Sequence, residues 1–146
     1  MISNTHKVLF LSFIMVLLSS AISACSASSK THFPMLPLDE MSMEVKAASF
    51  TVQKAYRFAA ANPSVMKTIP CYCGCDSLGH TSNYDCYVSN VDEYGWITFE
   101  KHGLACSTCV DITQDVMNML RDGKSPQEAR AYVETTYGKL APSNGP

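Results

Sequence analysis

With 146 residues, 11 Lys and Arg against 13 Asp and Glu, and a formal charge of −2, the chain has the length of one domain. It holds no basic run, which excludes the electrostatic footprint of a nucleic-acid binder, and its charge alone does not carry it to an anionic surface. Its seven cysteines are where specific chemistry is expected.

Met1–Lys7 is a short polar stretch, Val8–Leu18 is almost unbroken apolar sequence, and Ser19–Ala24 is small and weakly polar. That is the layout of a secretory signal, with an apolar core too short for a comfortable membrane span. It ends Ile22-Ser23-Ala24-Cys25, which resembles the lipobox of bacterial lipoproteins. The resemblance implies that Cys25 takes a diacylglyceryl group and becomes the new N-terminus, anchored in the cell membrane on its extracytoplasmic face. An ordinary signal cleaved nearby and an uncleaved anchor are the alternatives. The expected organisation is a signal peptide over 1–24, a lipidated tether over 25–40, a helical cysteine-rich domain over 41–140 and a tail over 141–146.

Ser26 to Pro37 mixes Ser, Lys, Thr, His and two prolines and reads as a flexible tether. From Met43 to Ala59 apolar positions recur every three or four residues in an alanine-rich run, the pattern of a helix. Asn62-Pro63 stops it and starts a short turn of helix running to about Thr68. Residues 70–100 show little periodicity and several turn residues, with Trp96–Phe99 a short extended piece. So long an irregular segment in a small domain needs a function or a cross-link to hold it. A second helical pattern starts at Ala105, carries Val110, Ile112, Val116, Met117, Met119 and Leu120, and stops at Asp122-Gly123. Ser125-Pro126-Gln127-Glu128 is a capping box that starts a third helix, ending at Gly138. The expected architecture is all-α, a small helical bundle with one irregular cysteine-rich loop.

With Cys25 assigned to lipid, six thiols remain: Cys71, Cys73, Cys75, Cys86, Cys106 and Cys109. Cys71, Cys73 and Cys75 alternate, so in an extended segment they share a face, and Gly74 permits the backbone angles of a wrap. Cys106 and Cys109 stand three apart at a helix start, on one face, where the unpaired amides favour thiolate. His80 and His102 flank the two groups and are candidates to complete a metal sphere or to act as partners of a thiolate. Asp76 and Asp85 read as turn residues, and the methionines as packing. Tyr94, Trp96 and Phe99 are expected to cover the cysteine loop.

Three readings follow from these residues. Thiolates with histidine suit Cu(I) or zinc, with Cys71, Cys73, Cys75, Cys86, Cys106, Cys109, His80 and His102 as the ligand pool. The Cys106/Cys109 pair suits thiol–disulfide exchange. Six cysteines in an exported domain also suit three structural disulfides, although neighbours one residue apart need distant partners. No hydrolase, phosphate-binding or dinucleotide signature is present, so hydrolysis and hydride transfer are not expected.

Pro70-Cys71-Tyr72-Cys73-Gly74-Cys75 resembles the motif that names a bacterial lipoprotein family, the PCYCGC proteins. The likeness extends through Phe58–Pro63, Ser82–Cys86, His102–Cys106 and Gly123–Ser125. It implies an envelope lipoprotein and assigns no activity. The stretch from Cys106 and Cys109 through Gly123-Lys124-Ser125 to Tyr137-Gly138 is also similar to the thiol-reductase subunit of cytochrome c maturation. That likeness implies Cys106 and Cys109 as a redox pair, and four further cysteines upstream depart from its pattern. The partners these readings imply are the membrane, through the lipid, and a metal transporter, chaperone or redox partner.

Overall fold

The computed structural model describes residues 32–145, apart from the side chains of Cys75 and Asp76. The signal segment, Cys25 and the start of the tether lie outside the described residues.

Among the described residues six α-helices and one β-hairpin follow one another: α1 Met43–Ala47, α2 Phe50–Ala61, α3 Pro63–Met66, β1 Val88–Val91, β2 Ile97–Phe99, α4 His102–Ala105, α5 Ser107–Arg121 and α6 Pro126–Tyr137. The fold is thus mostly helical but not purely all-α, because the irregular segment contains a two-stranded antiparallel sheet. Val88 pairs with Phe99 and Val91 with Ile97, with a bulge between Val88 and Asn90. Asp92 builds the reversal: its carboxylate accepts from the Tyr94 and Trp96 amides at 2.9 and 2.8 Å. Gly95 completes it with φ +86°, a conformation that favours glycine. Helical periodicity could not reveal this hairpin, because its turn chemistry rather than an apolar pattern specifies it.

The first helical run is broken where one helix was expected. Ser42 and Ser49 each cap a separate helix, accepting from the Val45 and Val52 amides. Gln53 Nε2 donates to the carbonyls of Lys46 and Ala48, both at 2.9 Å, and so satisfies the end of α1. A similar break sits at Cys106, which ends α4 and begins α5 in an extended conformation. The capping box at Ser125 forms as expected, with the side chain and backbone bonds of Ser125 and Glu128 both made.

The core lies between α2, α5 and α6, where Ala55, Tyr56, Phe58, Ala59, Ile112, Val116, Leu120, Ala129 and Val133 are buried. Phe33–Pro37, read from the sequence as tether, lies along α2. Phe33 packs edge-on to Phe58, the Leu36 amide donates to the Arg57 carbonyl at 3.0 Å, and Asn62 Nδ2 donates to Pro34 at 2.9 Å. Among the described residues no helix is long and apolar enough to cross a membrane.

Candidate metal centre

Pro70–Cys73 leaves the helical part without regular structure, bends at Cys73–Gly74, and Gly74, at φ +74°, leads into a 3-10 turn over Cys75–Leu78. The Cys71 and Cys73 sulfurs lie together at 3.2 Å, two of the three thiols expected to share a face. A second 3-10 turn, Tyr84–Cys86, delivers Cys86, and the first turn of α5 delivers Cys109. Cys109 Sγ lies 3.4 Å from Cys71, 3.2 Å from Cys86 and 3.1 Å from Cys106. Cys86 lies 3.8 Å from Cys71. Five sulfurs from three chain segments therefore converge.

Both histidines sit beside this cluster. His102 Nε2 is 3.4 Å from Cys73 Sγ, and His80 Nδ1 is 3.7 Å from Cys86 Sγ. Their rings meet edge to face with centroids 5.4 Å apart. Two sets of four side chains bring their ligand atoms within 4.8 Å of one another: Cys71, Cys73, Cys86 and Cys109, and Cys73, His102, Cys106 and Cys109. His80 belongs to neither set. Cys75 follows the turn, and its sulfur lies outside the described structure.

No disulfide joins the five described cysteines. Their separations are well beyond the roughly 2.05 Å of an S–S bond, so the stapled arrangement is not the one adopted among them. Four thiolates around one zinc, at about 2.3 Å each, stand about 3.8 Å apart in a tetrahedron. The measured edges among Cys71, Cys73, Cys86 and Cys109, 3.2 to 3.8 Å, fall short of this by about 0.6 Å at most, so slight expansion admits an ion. The donor set is also right in kind: soft sulfur with borderline imidazole.

Electrostatics separates the sulfurs. Thiol contacts from Cys109 first, and then Cys86, hold Cys71 well below the usual thiol range despite its burial. The same pairing with Cys71, then with Cys86, pushes Cys109 far up. One negative charge is thus accommodated, and each further thiolate in this buried space is opposed by it. A bound cation reverses that opposition and lets the set ionise together.

The backbone carrying Cys109 is fixed by buried polar groups that the sequence reading passed over. The Cys109 carbonyl accepts from Asn83 Nδ2 at 3.4 Å, and the Tyr87 hydroxyl lies 2.7 Å from it. Thr113 Oγ1 bonds Asn83 Oδ1 at 2.8 Å and lies 2.7 Å from Tyr87 Oη. One arrangement uses each hydroxyl hydrogen once and runs from Tyr87 to Thr113 to Asn83 to the carbonyl. Desolvation raises the Tyr87 phenol well above its usual range, so it serves as a neutral hydrogen-bonding group. The only sign of this network in the sequence was that Asn83 lies in the matched segment Ser82–Cys86.

The C-terminal tail also reaches the motif. Asn144 accepts from the Cys71 amide with Oδ1 at 2.9 Å and donates its own amide to the Cys71 carbonyl at 3.2 Å. Gly103 lets α4 approach: a Cβ there would meet Tyr87 Cε1 at 2.8 Å and the Cys86 carbonyl at 2.9 Å. That approach places His102 on one side of the cluster and Cys106 at its edge.

The expected aromatic cover is different from the one found. Tyr94 and Trp96 are 80% and 77% exposed at the hairpin tip, because the Asp92 turn projects them away from the core. Tyr72, Tyr84 and Tyr87 are the buried aromatics of the cysteine segment, and Phe99 packs edge-on to Tyr56. Asp85 behaves as the turn residue expected, accepting from the Thr81 amide and from the Thr81 and Ser82 hydroxyls. Met41, Met66 and Met117 are buried core residues, whereas Met43 is exposed.

Residues 14–146 match a family model described as a protein of unknown function with PCYCGC motif. No curated protein and no solved structure matches the chain.

Proposed function

The chain belongs to the PCYCGC-motif family, and we propose that this member is an envelope-anchored lipoprotein that binds a thiophilic metal ion, Cu(I) or zinc, for sequestration or transfer. The observation that carries the reading is five cysteine sulfurs gathered without a disulfide, with the His102 imidazole against them. Cys71, Cys73, Cys86, Cys106, Cys109 and His102 supply the ligands, and His80 and Cys75 stand next to them in the chain's path. The lipobox at Cys25 would hold this domain on the extracytoplasmic face, within reach of a metal transporter or chaperone. Ligand sulfurs bind as thiolates, so uptake releases protons.

The test is elemental analysis with a thiol count on protein purified from the envelope without reductant. Near-stoichiometric copper or zinc, with thiols that become titratable only after chelation, is the expected result. Metal-free protein with no titratable thiol even after unfolding would return the cysteines to a stapling role.

One observation favours a second reading, thiol–disulfide exchange. Cys106 and Cys109 lie 3.1 Å apart at the start of a fifteen-residue helix, the usual setting of an exchanging pair. It predicts metal-free protein whose Cys106 is alkylated rapidly near neutral pH and whose pair equilibrates with glutathione. Slow alkylation of Cys106 in the metal-free chain counts against it.

A further inference from the structure

The two four-ligand sets overlap without coinciding. They share an edge, Cys73 and Cys109, and differ at the other two corners: Cys71 and Cys86 on one side, Cys106 and His102 on the other. Resting on the metal-binding reading above, we infer that the cluster is a dinuclear centre, two thiophilic ions bridged by the Cys73 and Cys109 sulfurs. Cys71 and Cys86 complete the inner ion, and Cys106 and His102 complete the outer one.

Ligand chemistry supports this division. A thiolate sulfur has lone pairs to spare and bridges two ions, whereas an imidazole nitrogen has one and binds terminally. Both shared corners are sulfurs, and the single histidine in the two sets occupies a terminal corner. Cys109 is central, touching Cys71, Cys86 and Cys106 at once.

Charge points the same way. One ion in the inner set leaves Cys106 as a fifth sulfur 3.1 Å from a filled site, with His102 beside a ligand and without a role. One divalent ion also leaves a large negative excess if all five thiols ionise, and a second nearly neutralises it. Around the fully buried Cys71, Cys86 and Cys109 that difference weighs heavily.

Burial then distinguishes the two positions. Cys71, Cys86 and Cys109 are fully buried, whereas Cys73, His102 and Cys106 are partly exposed. The inner ion is enclosed and the outer ion faces solvent, so the outer one exchanges first.

The experiment is an anaerobic titration of the full chain with Co(II), a paramagnetic stand-in for zinc, with ions counted by native mass spectrometry. The expected result is two Co(II) per chain. The paramagnetic resonance signal grows with the first equivalent and falls with the second, because bridging thiolates couple the two spins. Cys106→Ser, at the exposed edge and outside the inner set, should lower the capacity from two ions to one and leave that ion's signal unquenched. Two ions with additive signals would overturn the bridge, and one ion per chain would overturn the dinuclear centre, while both would leave the metal-binding reading standing. Uptake of Cu(I) but not Co(II) would likewise overturn the paired four-ligand geometry alone. Binding of neither would remove the reading on which the inference rests.

Discussion

Around the buried Cys109 carbonyl stand three side-chain groups: the Asn83 amide, which donates to it, and the Tyr87 and Thr113 hydroxyls, which lie 2.7 and 3.0 Å away and link to Asn83. None of the three is a metal ligand, yet together they set where Cys109 stands. Thr113→Val keeps the volume and removes the link between Tyr87 and Asn83, leaving buried polar groups unpaired. Chemical denaturation of the metal-free chain should show a loss of about 1–3 kcal/mol. Gly103→Ala tests the neighbouring constraint. Its Cβ would fall within contact distance of backbone as well as ring, so α4 must shift, at a cost of about 1–3 kcal/mol. An unchanged denaturation midpoint in that variant would show that α4 tolerates the displacement. Cysteine identity and spacing were legible in the sequence, but these supports were not, because an Asn, a Thr and a Tyr carry no periodic signal.

Among the elements, α6 is held by its start as much as by its buried face, which contributes only Ala129 and Val133. Ser125→Ala removes the hydroxyl that accepts from the Glu128 amide and should cost about 1 kcal/mol. Bonds from the Ser125 backbone first, then its side chain, hold the Glu128 carboxyl below the ordinary glutamate range. A lowered folded pKa means the stabilisation is present above the unfolded pKa, about 4.3. It is lost as pH falls through the lower folded value. Thermal melts between neutral and acid pH should show this increment in the parent chain and lack it in Glu128→Gln. Both ends of this helix were legible, since capping is local chemistry among four residues. The division of α1 from α2 was not. There the serine caps and Gln53 override an apolar period that continues through the break.

Across the whole molecule, the cysteine segment is clamped from both chain directions: α5 holds Cys109 and Cys106, and the tail holds the Cys71 backbone through Asn144. Deleting residues 141–146 removes both hydrogen bonds to Cys71. Local opening should then be about tenfold more frequent, read as faster alkylation of Cys71 in the metal-free chain. Metal occupancy should act on the entire fold, because its ligands come from separate segments. An ion supplied at about a hundred times its Kd adds about 2.7 kcal/mol, lost on chelation and measured as a fall in Tm.

The sequence alone determined what rests on neighbours in the chain. The family follows from contiguous motif residues, the capping box from a four-residue grammar, the helix stop from Gly123, and the soft character of the donor set from sulfur and imidazole. Tertiary structure decided what depends on residues far apart meeting. It chose gathered sulfurs over disulfides among the five described cysteines, set His102 against Cys73, and left Trp96 in solvent. It also made Cys73 and Cys109 common to two ligand sets. Spacing along a chain constrains which side chains share a face, but only packing decides which faces turn toward the same few ångströms of space.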